Sequence, residues 1–577
     1  MSGGVRIAPL VCLAVGGLTL GLAVSCSSSS SRSNSATTAA ATTSNTTTSS
    51  TSSNAAPVRT NTAQVVERIG EGWLELKQGR KVVHVKGGPR ERGYQYGYLL
   101  ADEIEGVFNA LETYVSAQGA GLPGSVIHLL SPAGAYVYKP FFSAAEIEEL
   151  EAIVDGMRAK HPGTPIDLDD LLFVNALIDV GGTVDFSVFK CSSLAVWGSL
   201  TEQGKLFQTR CIDLTTGTGL EDHAVVVYVK PEGGVPYVNP GWAGMIGCPS
   251  GLNAHGIGIG QVWAFSDDRQ LGRPWILATM ELLASGDDVG DAVRIFLNDQ
   301  RTYGSNFVFT DRGDARGGQP RGIAVESTSR DLVVFRDDDP REDLALYNGQ
   351  PYGIRIKDAV FRGDCALDPH IRSRQTASNG PHGDPRTASA YKNRYKGQAD
   401  GIQAYATAGI KIGAAECIEI TKNVAMPNHS LQCCVYANSD LELWVANAQI
   451  DAQGNLTPAF QGTYENHSLD YFTPTLKIVP DHTQPALGST LNLAFPITTL
   501  GSERQLEVRV RLETPAGTHD LGVVGLTLPK ADRVTPTLSV TIPAGAPTGN
   551  ATLVADLHEA YTTDLVDCAE LQLTLTR

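Results

Sequence analysis

The spacing of hydrophobic positions changes along the chain from a helical period to a strand period. In the first part, short alternating runs give way to apolar residues at three- and four-residue intervals, a pattern typical of helices that bury one face. These patterns predict two strands at 73–76 and 82–86 and three helices at about 98–111, 143–160 and 168–178. The second helix carries a capping signal, because Ser143 is followed three residues later by Glu146.

From Cys191 onward the hydrophobic period becomes two, which indicates strands. The predicted strands cover 193–199, 205–209, 224–229, 257–263, 306–309, 322–325 and 332–335. A helical segment is predicted over about 275–297, between two groups of strands. The segment 363–400 is rich in polar residues, Gly and Pro, and we expect a long loop or an insertion there. This order of elements predicts an α+β fold in which helices cover a sheet sandwich.

The last part of the chain, 474–577, contains short alternating runs separated by turn residues. This pattern is typical of a small all-β sandwich with Ig-like architecture. Because the runs carry no group of residues with evident chemistry, we expect an accessory domain.

The first residues have the pattern of an export signal. Residues 1–26 contain Arg6, an apolar run and small residues up to Cys26. The sequence Leu22-Ala-Val-Ser-Cys26 resembles a bacterial lipoprotein box, which implies a lipid on Cys26 and a lipid-anchored location in the cell envelope. The alternative is ordinary signal cleavage with an incidental Cys26. Residues 27–63 are rich in Ser, Thr, Asn and Ala, and this composition predicts a disordered tether.

Composition narrows the classes of function. The chain has 577 residues, 42% of them hydrophobic, and a net charge of −17. This acidic balance, without a cluster of Lys and Arg, argues against nucleic-acid binding. No zinc, phosphate-loop or dinucleotide motif occurs, so we expect no metal or nucleotide cofactor. Of ten cysteines, eight lie outside the predicted signal and lipid site, and their pairing does not follow from their spacing.

Cys191 is the residue with the strongest chemical signal. It opens the run Cys-Ser-Ser-Leu-Ala-Val-Trp-Gly, and the returning strand ends in Arg210-Cys-Ile-Asp213. If the Lys190–Cys191 bond is cut, the thiol and a new α-amine belong to one residue. That amine, with a pKa of about 8, can act as base for the thiol beside it. The alternative is a buried core cysteine or half-cystine, which is common in exported proteins.

The run from Cys191 to Asp213 resembles the autoproteolytic acyltransferase and hydrolase family that includes isopenicillin N acyltransferase and, more distantly, the choloylglycine hydrolases. Members usually carry Cys-Ser/Thr-Ser, then Gly-Lys-Leu, then Gly-Arg-Asn-x-Asp. Here Arg210 and Asp213 are retained, while Thr209 and Cys211 replace the Gly and the Asn. The resemblance extends from about residue 83 to residue 472. It includes Gly93-Tyr-Gln-Tyr-Gly97, Gly251-Leu-Asn253, Ser305-Asn306 and Val325-Glu326.

The resemblance implies an N-terminal-nucleophile fold, a four-layer αββα sandwich. It also implies self-cleavage between Lys190 and Cys191. The products would be a helical pro-region, 64–190, and a catalytic fragment, 191–473, which stay associated.

The same resemblance implies a role for each site residue. Cys191 would be the nucleophile in self-cleavage and in turnover, and its freed amine would be the general base. Asp213 would hydrogen-bond the amine or the thiol, and Arg210 would supply positive charge that favours the thiolate. Asn306 would donate to the oxyanion of the tetrahedral intermediate, an interaction commonly worth roughly 3–4 kcal/mol.

Each role has a structural alternative. Arg210 and Asp213 could form an ordinary cross-strand ion pair, and Asn306 could lie in a turn or at a strand edge. Asn253 is expected in a turn, and Trp263 is expected in the core or a pocket wall. Cys211 is either a packed thiol or a disulfide partner.

The sequence therefore predicts a self-cleaving cysteine amidohydrolase or acyltransferase that acts on the linear amide bond of a small acyl-amine substrate, through a thioester on Cys191. One alternative is a cell-surface binding protein that keeps the fold without turnover. Another is a lipid amidase of the ceramidase type, which shares the chemistry and differs in its pocket.

Overall fold

The computed structural model describes residues 63–117, 126–182, 190–214, 216–313, 318–375 and 384–577. The predicted signal, the predicted lipid site at Cys26 and the predicted tether, apart from residue 63, lie outside these ranges. Within the ranges, no helix combines the length and apolar character needed to cross a bilayer.

The described helices fall into two groups along the chain, one before the predicted cleavage point and one after it. They are α1 Pro89–Leu99, α2 Ala101–Ala117, α3 Val126–Tyr138, α4 Ala144–Lys160, α5 Leu168–Gly182, α6 Trp275–Ser285, α7 Val289–Asn298, α8 Pro369–Arg374, α9 Arg394–Thr407, α10 Ala414–Val424 and α11 Leu469–Phe472. The capping box predicted for α4 is present, since Ser143 and Glu146 each accept a backbone N–H from the other. The single helical segment predicted over 275–297 is two helices, because the side chain of Asp288 caps a new helix at α7.

Most strands before residue 474 belong to two sheets. Sheet A contains, in spatial order, β1 Gln64–Ile69, β2 Gly72–Lys77, β3 Arg80–Gly87, β6 Ala224–Pro231, β7 Tyr237–Trp242, β8 Ser250–Asn253, β9 Gly258–Trp263, β10 Ser305–Asp311, β11 Arg321–Ser327 and β12 Leu332–Phe335. Sheet B contains, in spatial order, β15 Ala359–Arg362, β4 Lys190–Gly198, β5 Gly204–Asp213, β16 Ser430–Ala437, β17 Glu442–Asn447 and β20 Glu465–Ser468. Two short hairpins complete this part: β13 Leu346–Tyr347 with β14 Gln350–Pro351, and β18 Gln449–Ile450 with β19 Leu456–Thr457.

Sheets A and B touch each other, and each also packs against helices. Apolar side chains of both sheets meet in one cluster that includes Ala195, Leu206, Val308 and Ala324. A larger cluster joins sheet A to helices α1 to α7, and a separate one joins sheet B to α9 and α10. The predicted α+β fold is confirmed.

Two glycines of β9 let the sheets approach closely. A Cβ atom on Gly260 would lie 1.9 Å from Ser193 Oγ, and one on Gly258 would lie 2.0 Å from Gln208 Oε1. Both distances are far below van der Waals contact, so any larger residue would push β4 and β5 away from β9. The close approach matters for the site, because Cys191 lies on β4.

The segment 64–190 contributes strands as well as helices to the folded body. β3 runs parallel to β6, from the pair Val82 and Val226 to the pair Gly87 and Pro231. Sheet A therefore contains strands from both sides of the predicted cleavage point. Two fragments produced there would stay bound through this ladder of hydrogen bonds and the shared core.

The segment 363–400, expected to be a long loop, contains regular structure. Helix α8 and the first turns of α9 lie in it, while residues 376–383 are outside the described ranges. The loop prediction is therefore wrong for the described part. The buried residues of α9, among them Tyr395, Ala399 and Ile402, follow a helical spacing that the polar average of the segment conceals.

The described C-terminal residues form strands, as predicted. They are β21 Thr475–Leu476, β22 Val479–Pro480, β23 Thr490–Ala494, β24 Ile497–Thr498, β25 Arg504–Thr514, β26 Gly517–Leu528, β27 Arg533–Val534, β28 Thr537–Thr541, β29 Gly549–Glu559 and β30 Leu565–Leu575. Their apolar side chains share one cluster with residues of sheets A and B, such as Tyr228 and Leu443. This domain is thus packed into the core of the molecule.

A buried group of charges also joins the C-terminal domain to sheet A. Lys86 on β3 and Lys230 on β6 both reach Asp567 on β30, with Nζ–O distances of 3.0 Å. Each ammonium also donates to backbone carbonyls, Lys86 to Leu476 and Cys568, and Lys230 to Pro474. Asp567 is fully buried, so it balances charge that water does not reach.

We predict that Asp567→Asn strongly destabilises the protein. The substitution keeps the shape of the side chain but removes the carboxylate of buried Lys230 and leaves Lys86 with Glu71 alone, 3.5 Å away, a loss that typically costs about 3–5 kcal/mol. Chemical denaturation of the full chain measures the free energy of unfolding. Asp520→Asn, at an exposed position of the same domain, is the matched control and should change little. Equal stability of the two variants would contradict the role given to Asp567.

Candidate active site

Cys191 lies at the start of β4, in the interior of sheet B. Its backbone pairs with Ile212 of β5, and two residues later Ser193 pairs with Arg362 of β15. The residue is 2% exposed. A strand between two others fixes the position of its backbone more firmly than a loop does. The sequence-predicted nucleophile is therefore held in place and shielded from water.

The backbone N–H of Cys191 donates to a carboxylate that the sequence did not single out. Its acceptor is Asp364 Oδ1, at 3.1 Å. Asp364 comes two residues after the end of β15, which brings it opposite the first residues of β4. This contact marks the atom that would become the α-amine after cleavage.

Arg394 connects this carboxylate to the predicted Asp213. Its Nη1 lies 2.9 Å from Asp364 Oδ2, and its Nη2 lies 3.1 Å from Asp213 Oδ2. Arg394 is the first residue of α9, where the side chain of Asn393 caps the helix by accepting the N–H of Lys396. The cap fixes the backbone from which the guanidinium reaches both carboxylates.

Asp213 does not occupy the position predicted for it beside the amine. Besides Arg394, it accepts the backbone N–H of Met426 at 3.1 Å and the thiol of Cys211 at 3.3 Å. Burial raises the pKa of Asp213, and the charge of Arg394 opposes that rise. Asp213 is thus linked to Asp364 through Arg394, and we call Asp213, Arg394 and Asp364 together the acidic cluster.

Arg210 on β5 points to the same face of sheet B as Cys191 on β4. It donates to the backbone oxygen of Cys211 at 2.7 Å and to Gln261 Oε1, across on β9, at 3.2 Å. Burial raises the pKa of the Cys191 thiol, and the neighbouring charge of Arg210 opposes that rise.

The alternative of an ion pair between Arg210 and Asp213 is wrong. Residues three apart on one strand point to opposite faces. Asp213 pairs instead with Arg394 on the helical side of sheet B.

Asn306 lies in the middle of sheet A, between β9 and β11, so the turn and strand-edge alternatives are wrong. Its Nδ2 donates to the backbone oxygen of Gly363 at 3.0 Å. Its Oδ1 is buried and has no hydrogen-bond partner among the described residues. Because an amide group carries two N–H donors, one remains for an oxyanion. The hydrogen bond from Asn306 also fixes the position of Gly363, the residue directly before Asp364.

Glu326, the cross-strand partner of Asn306, anchors the other side of the same segment. Its carboxylate accepts the backbone N–H groups of Leu367 at 2.9 Å and Asp368 at 2.8 Å. It also pairs with Arg362 Nε at 2.8 Å, where both side chains are fully buried. Asn306 and Glu326 together fix residues 362–368, the segment that presents Asp364.

The remaining sequence-predicted residues have structural roles. Asn253 closes a turn, accepting the N–H groups of His255 and Ile257. Trp263 is buried and packs edge-on against Phe265, with ring centroids 5.2 Å apart. Both expectations for these residues are confirmed. Cys211 is buried, and its sulfur is 3.2 Å from that of Cys433.

Two functional candidates, Asp364 and Arg394, were missed because they lie in the segment interpreted as a loop. Asn393, directly before an apolar pattern with helical spacing, is a helix-start signal that could have located Arg394. No comparable local signal identifies Asp364.

A second buried carboxyl, Asp179 on α5, was also missed. It accepts a hydrogen bond from Thr302 Oγ1, and burial raises its pKa to about 7. Burial and the neighbouring Asp179 raise the pKa of Tyr303, which belongs to the same apolar cluster as Cys191. Among the residues that the structure describes, no group of His, Cys, Asp or Glu side chains is placed to hold a metal ion.

We predict that Arg394→Gln destabilises the protein in a pH-dependent way. Two buried carboxylates lose their cation, so the loss should reach about 3–5 kcal/mol at neutral pH. Burial already raises the pKa of Asp213, and without Arg394 it rises further. Because a raised carboxyl pKa disfavours the folded state only where the group ionises, the loss of stability should shrink as the pH falls.

Denaturation of the full chain at several pH values tests this expectation. Arg90→Gln, which breaks an exposed pair with Asp155, is the matched control and should show no such pH trend. A loss of stability in Arg394→Gln that is independent of pH would contradict the charge argument.

Comparison with known proteins gives distant relatives. No profile of a known protein family matches the chain. An uncharacterised protein of Archaeoglobus fulgidus is 23% identical over 287 residues, which cover 46% of this chain and 47% of that protein. Protein dcd1A of Dictyostelium discoideum is 23% identical over 287 residues, 45% of this chain and 61% of that protein. In both cases the match covers less than two thirds of the relative.

Solved structures overlap with a small part of the chain. A CARDB domain from Pyrococcus furiosus covers 18% of this chain and 87% of its own, with 15% identity and a TM-score of 0.15. A Niemann-Pick type C2 protein from the Japanese carpenter ant covers 18% of this chain and 95% of its own, with 7% identity and a TM-score of 0.16. With TM-scores this low, neither solved structure is informative about function. The similarity to the two relatives does not assign this chain to a family.

Proposed function

We propose that the protein is a self-cleaving cysteine amidohydrolase or acyltransferase that acts on linear amide bonds through a thioester on Cys191. The observation that carries this proposal is the 3.1 Å bond from the Cys191 N–H to Asp364, within the buried acidic cluster. The ladder between β15 and β4 ends at the pair Arg362 and Ser193, and beyond it a carboxylate accepts the N–H of Cys191. A cysteine whose nitrogen becomes a catalytic amine needs such a fixed acceptor at that nitrogen.

The packing of the sheets supports an N-terminal-nucleophile fold. Sheets A and B meet through one apolar cluster, and each has helices on its other side. This order of layers agrees with the four-layer αββα sandwich expected from the resemblance. Cys191 begins a strand of sheet B beside the other sheet, so its thiol is close to Arg210 and to the aromatic residues packed on sheet A.

Self-cleavage would proceed by an acyl shift from nitrogen to sulfur. Cys191 Sγ attacks the carbonyl carbon of Lys190, the C–N bond breaks, and the thiol proton passes to the leaving nitrogen. Water then hydrolyses the Lys190 thioester, which leaves a carboxylate on Lys190 and a free amine on Cys191. Asp364 accepts a hydrogen bond from this nitrogen throughout and so fixes its position.

In turnover, the freed amine would take the proton of the Cys191 thiol as the sulfur attacks a substrate amide. Arg210 favours the developing thiolate, and the second N–H of Asn306 donates to the oxyanion. The amine of the substrate leaves with a proton, and water or a second amine then accepts the acyl group. The predicted export signal and Cys26 lipid would locate this activity at the cell envelope.

We predict that the wild-type chain is recovered as two associated fragments, one of which begins at Cys191. Cys191→Ala should remain one uncut chain, because it lacks the attacking sulfur. Intact-mass analysis and N-terminal sequencing provide the measurement. Cys417→Ala removes another fully buried thiol, in α10, and should still be cut.

An uncut wild-type chain that also resists a thiol-directed acyl probe would contradict the proposed function. That result would favour the alternative of a binding protein that keeps the fold. Cleavage at another bond, unaffected by Cys191→Ala, would also contradict self-processing.

We predict that Asn306→Ala slows acylation of Cys191 by about 10²–10³-fold, the usual cost of losing one oxyanion donor. The rate of labelling by the acyl probe, measured on the cleaved protein, tests this. Asn455→Ala, at an exposed position, is the control and should label at the wild-type rate. If the probe labels Asn306→Ala at the wild-type rate, Asn306 is not an oxyanion donor, and its role is the structural one of binding the Gly363 carbonyl.

A further inference from the structure

Two cysteines that the proposed mechanism does not use lie in contact behind the active site. Cys211 on β5 and Cys433 on β16 are directly opposite each other in the antiparallel ladder. Their sulfur atoms are 3.2 Å apart, and both residues are fully buried. Among the eight cysteines that the structure describes, this is the pair for which it shows a sulfur–sulfur contact.

We infer that Cys211 and Cys433 are a redox site that forms a disulfide adjoining the acidic cluster. The sulfurs already lie on one face of paired strands, so the bond requires rotation of side chains and little movement of the backbone. The neighbouring Cys434 points to the opposite face of β16, where its thiol donates to Gln432. The geometry therefore selects Cys433 over Cys434 as the partner of Cys211.

The disulfide would change the surroundings of Asp213. In the dithiol form, Cys211 Sγ donates to Asp213 Oδ1 at 3.3 Å, and Ser430 Oγ lies 3.4 Å from Cys433 Sγ. A disulfide has no S–H, so Asp213 would keep Arg394 and the N–H of Met426 and lose one donor. Oxidation would also join β5 covalently to β16 across 222 positions of sequence.

The oxidant is a small organic disulfide such as oxidised glutathione. One cysteine thiolate attacks a glutathione sulfur and releases one glutathione thiolate, which leaves a mixed disulfide. The second cysteine displaces the other glutathione, so that two electrons pass from the protein sulfurs to two glutathione thiols. Because both thiols are buried in the folded protein, the exchange takes place while the chain folds, as expected for a protein exported to an oxidising compartment.

The test uses the full chain refolded in a buffer of reduced and oxidised glutathione. The protein is then unfolded in iodoacetamide without reductant and digested, and the peptides are analysed by mass spectrometry. We expect a cross-linked peptide pair that contains Cys211 and Cys433, and alkylation of both residues only after treatment with dithiothreitol. Recovery of both residues alkylated before reduction would overturn the inference.

Two variants separate the expected pairing from others. Cys433→Ala should abolish the cross-link and leave Cys211 alkylated, whereas Cys434→Ala should retain it. A cross-link from Cys211 to any other cysteine would overturn the assignment. None of these readouts depends on cleavage or turnover, so a failure of the proposed function leaves this test intact.

A stability measurement gives a second readout if Cys433→Ala folds poorly. Reduction should lower the denaturation midpoint of the wild type and of Cys434→Ala, because the cross-link restricts the unfolded chain. A midpoint of the wild type that does not change on treatment with dithiothreitol would overturn the inference that the refolded protein carries a cross-link between β5 and β16.

Discussion

The buried cluster of Asp364, Arg394 and Asp213 is the interaction on which the rest of the site depends. One guanidinium lies between two carboxylates, so the three side chains together carry one negative charge when all are ionised. Burying an unbalanced charge is costly, and the backbone N–H groups of Cys191 and Met426 and the thiol of Cys211 also donate to the carboxylates. The cluster thereby links β4, β5, α9 and the segment after β15, and it sets where the nitrogen of Cys191 can lie.

Two features of the uncut chain would keep the Cys191 thiol unreactive. Before cleavage the Cys191 nitrogen is an amide, which cannot act as a base, and burial raises the pKa of the thiol. Under the proposed function, cleavage converts that amide into an amine, which can take up a proton. A protonated amine next to Asp364 would offset the residual negative charge of the acidic cluster, while the same cut adds a carboxylate on Lys190.

Sequence patterns predicted the elements better than the contacts between them. Strand and helix periods located β4, β5 and most of sheet A, since those periods follow directly from which face is buried. A helix-start signal at Asn393 can locate Arg394, but no pattern gives its contacts or those of Asp364, because these arise from chain segments far apart in sequence that meet in the folded protein. Asn306 was identified through a resemblance, yet its bond to Gly363 depends on how sheet A faces sheet B.

Thr209 and Cys211 are the two departures from the family-like motif. Neither side chain lies on the face of sheet B that carries the Cys191 side chain. Alternation along a strand places both on the face shared with Asp213, while Arg210 faces the other sheet. Thr209 Oγ1 accepts the N–H of Leu194, and Cys211 donates to Asp213. The substitutions therefore leave the groups around the Cys191 thiol intact and change only the support behind Asp213, so they do not by themselves argue for a loss of catalysis.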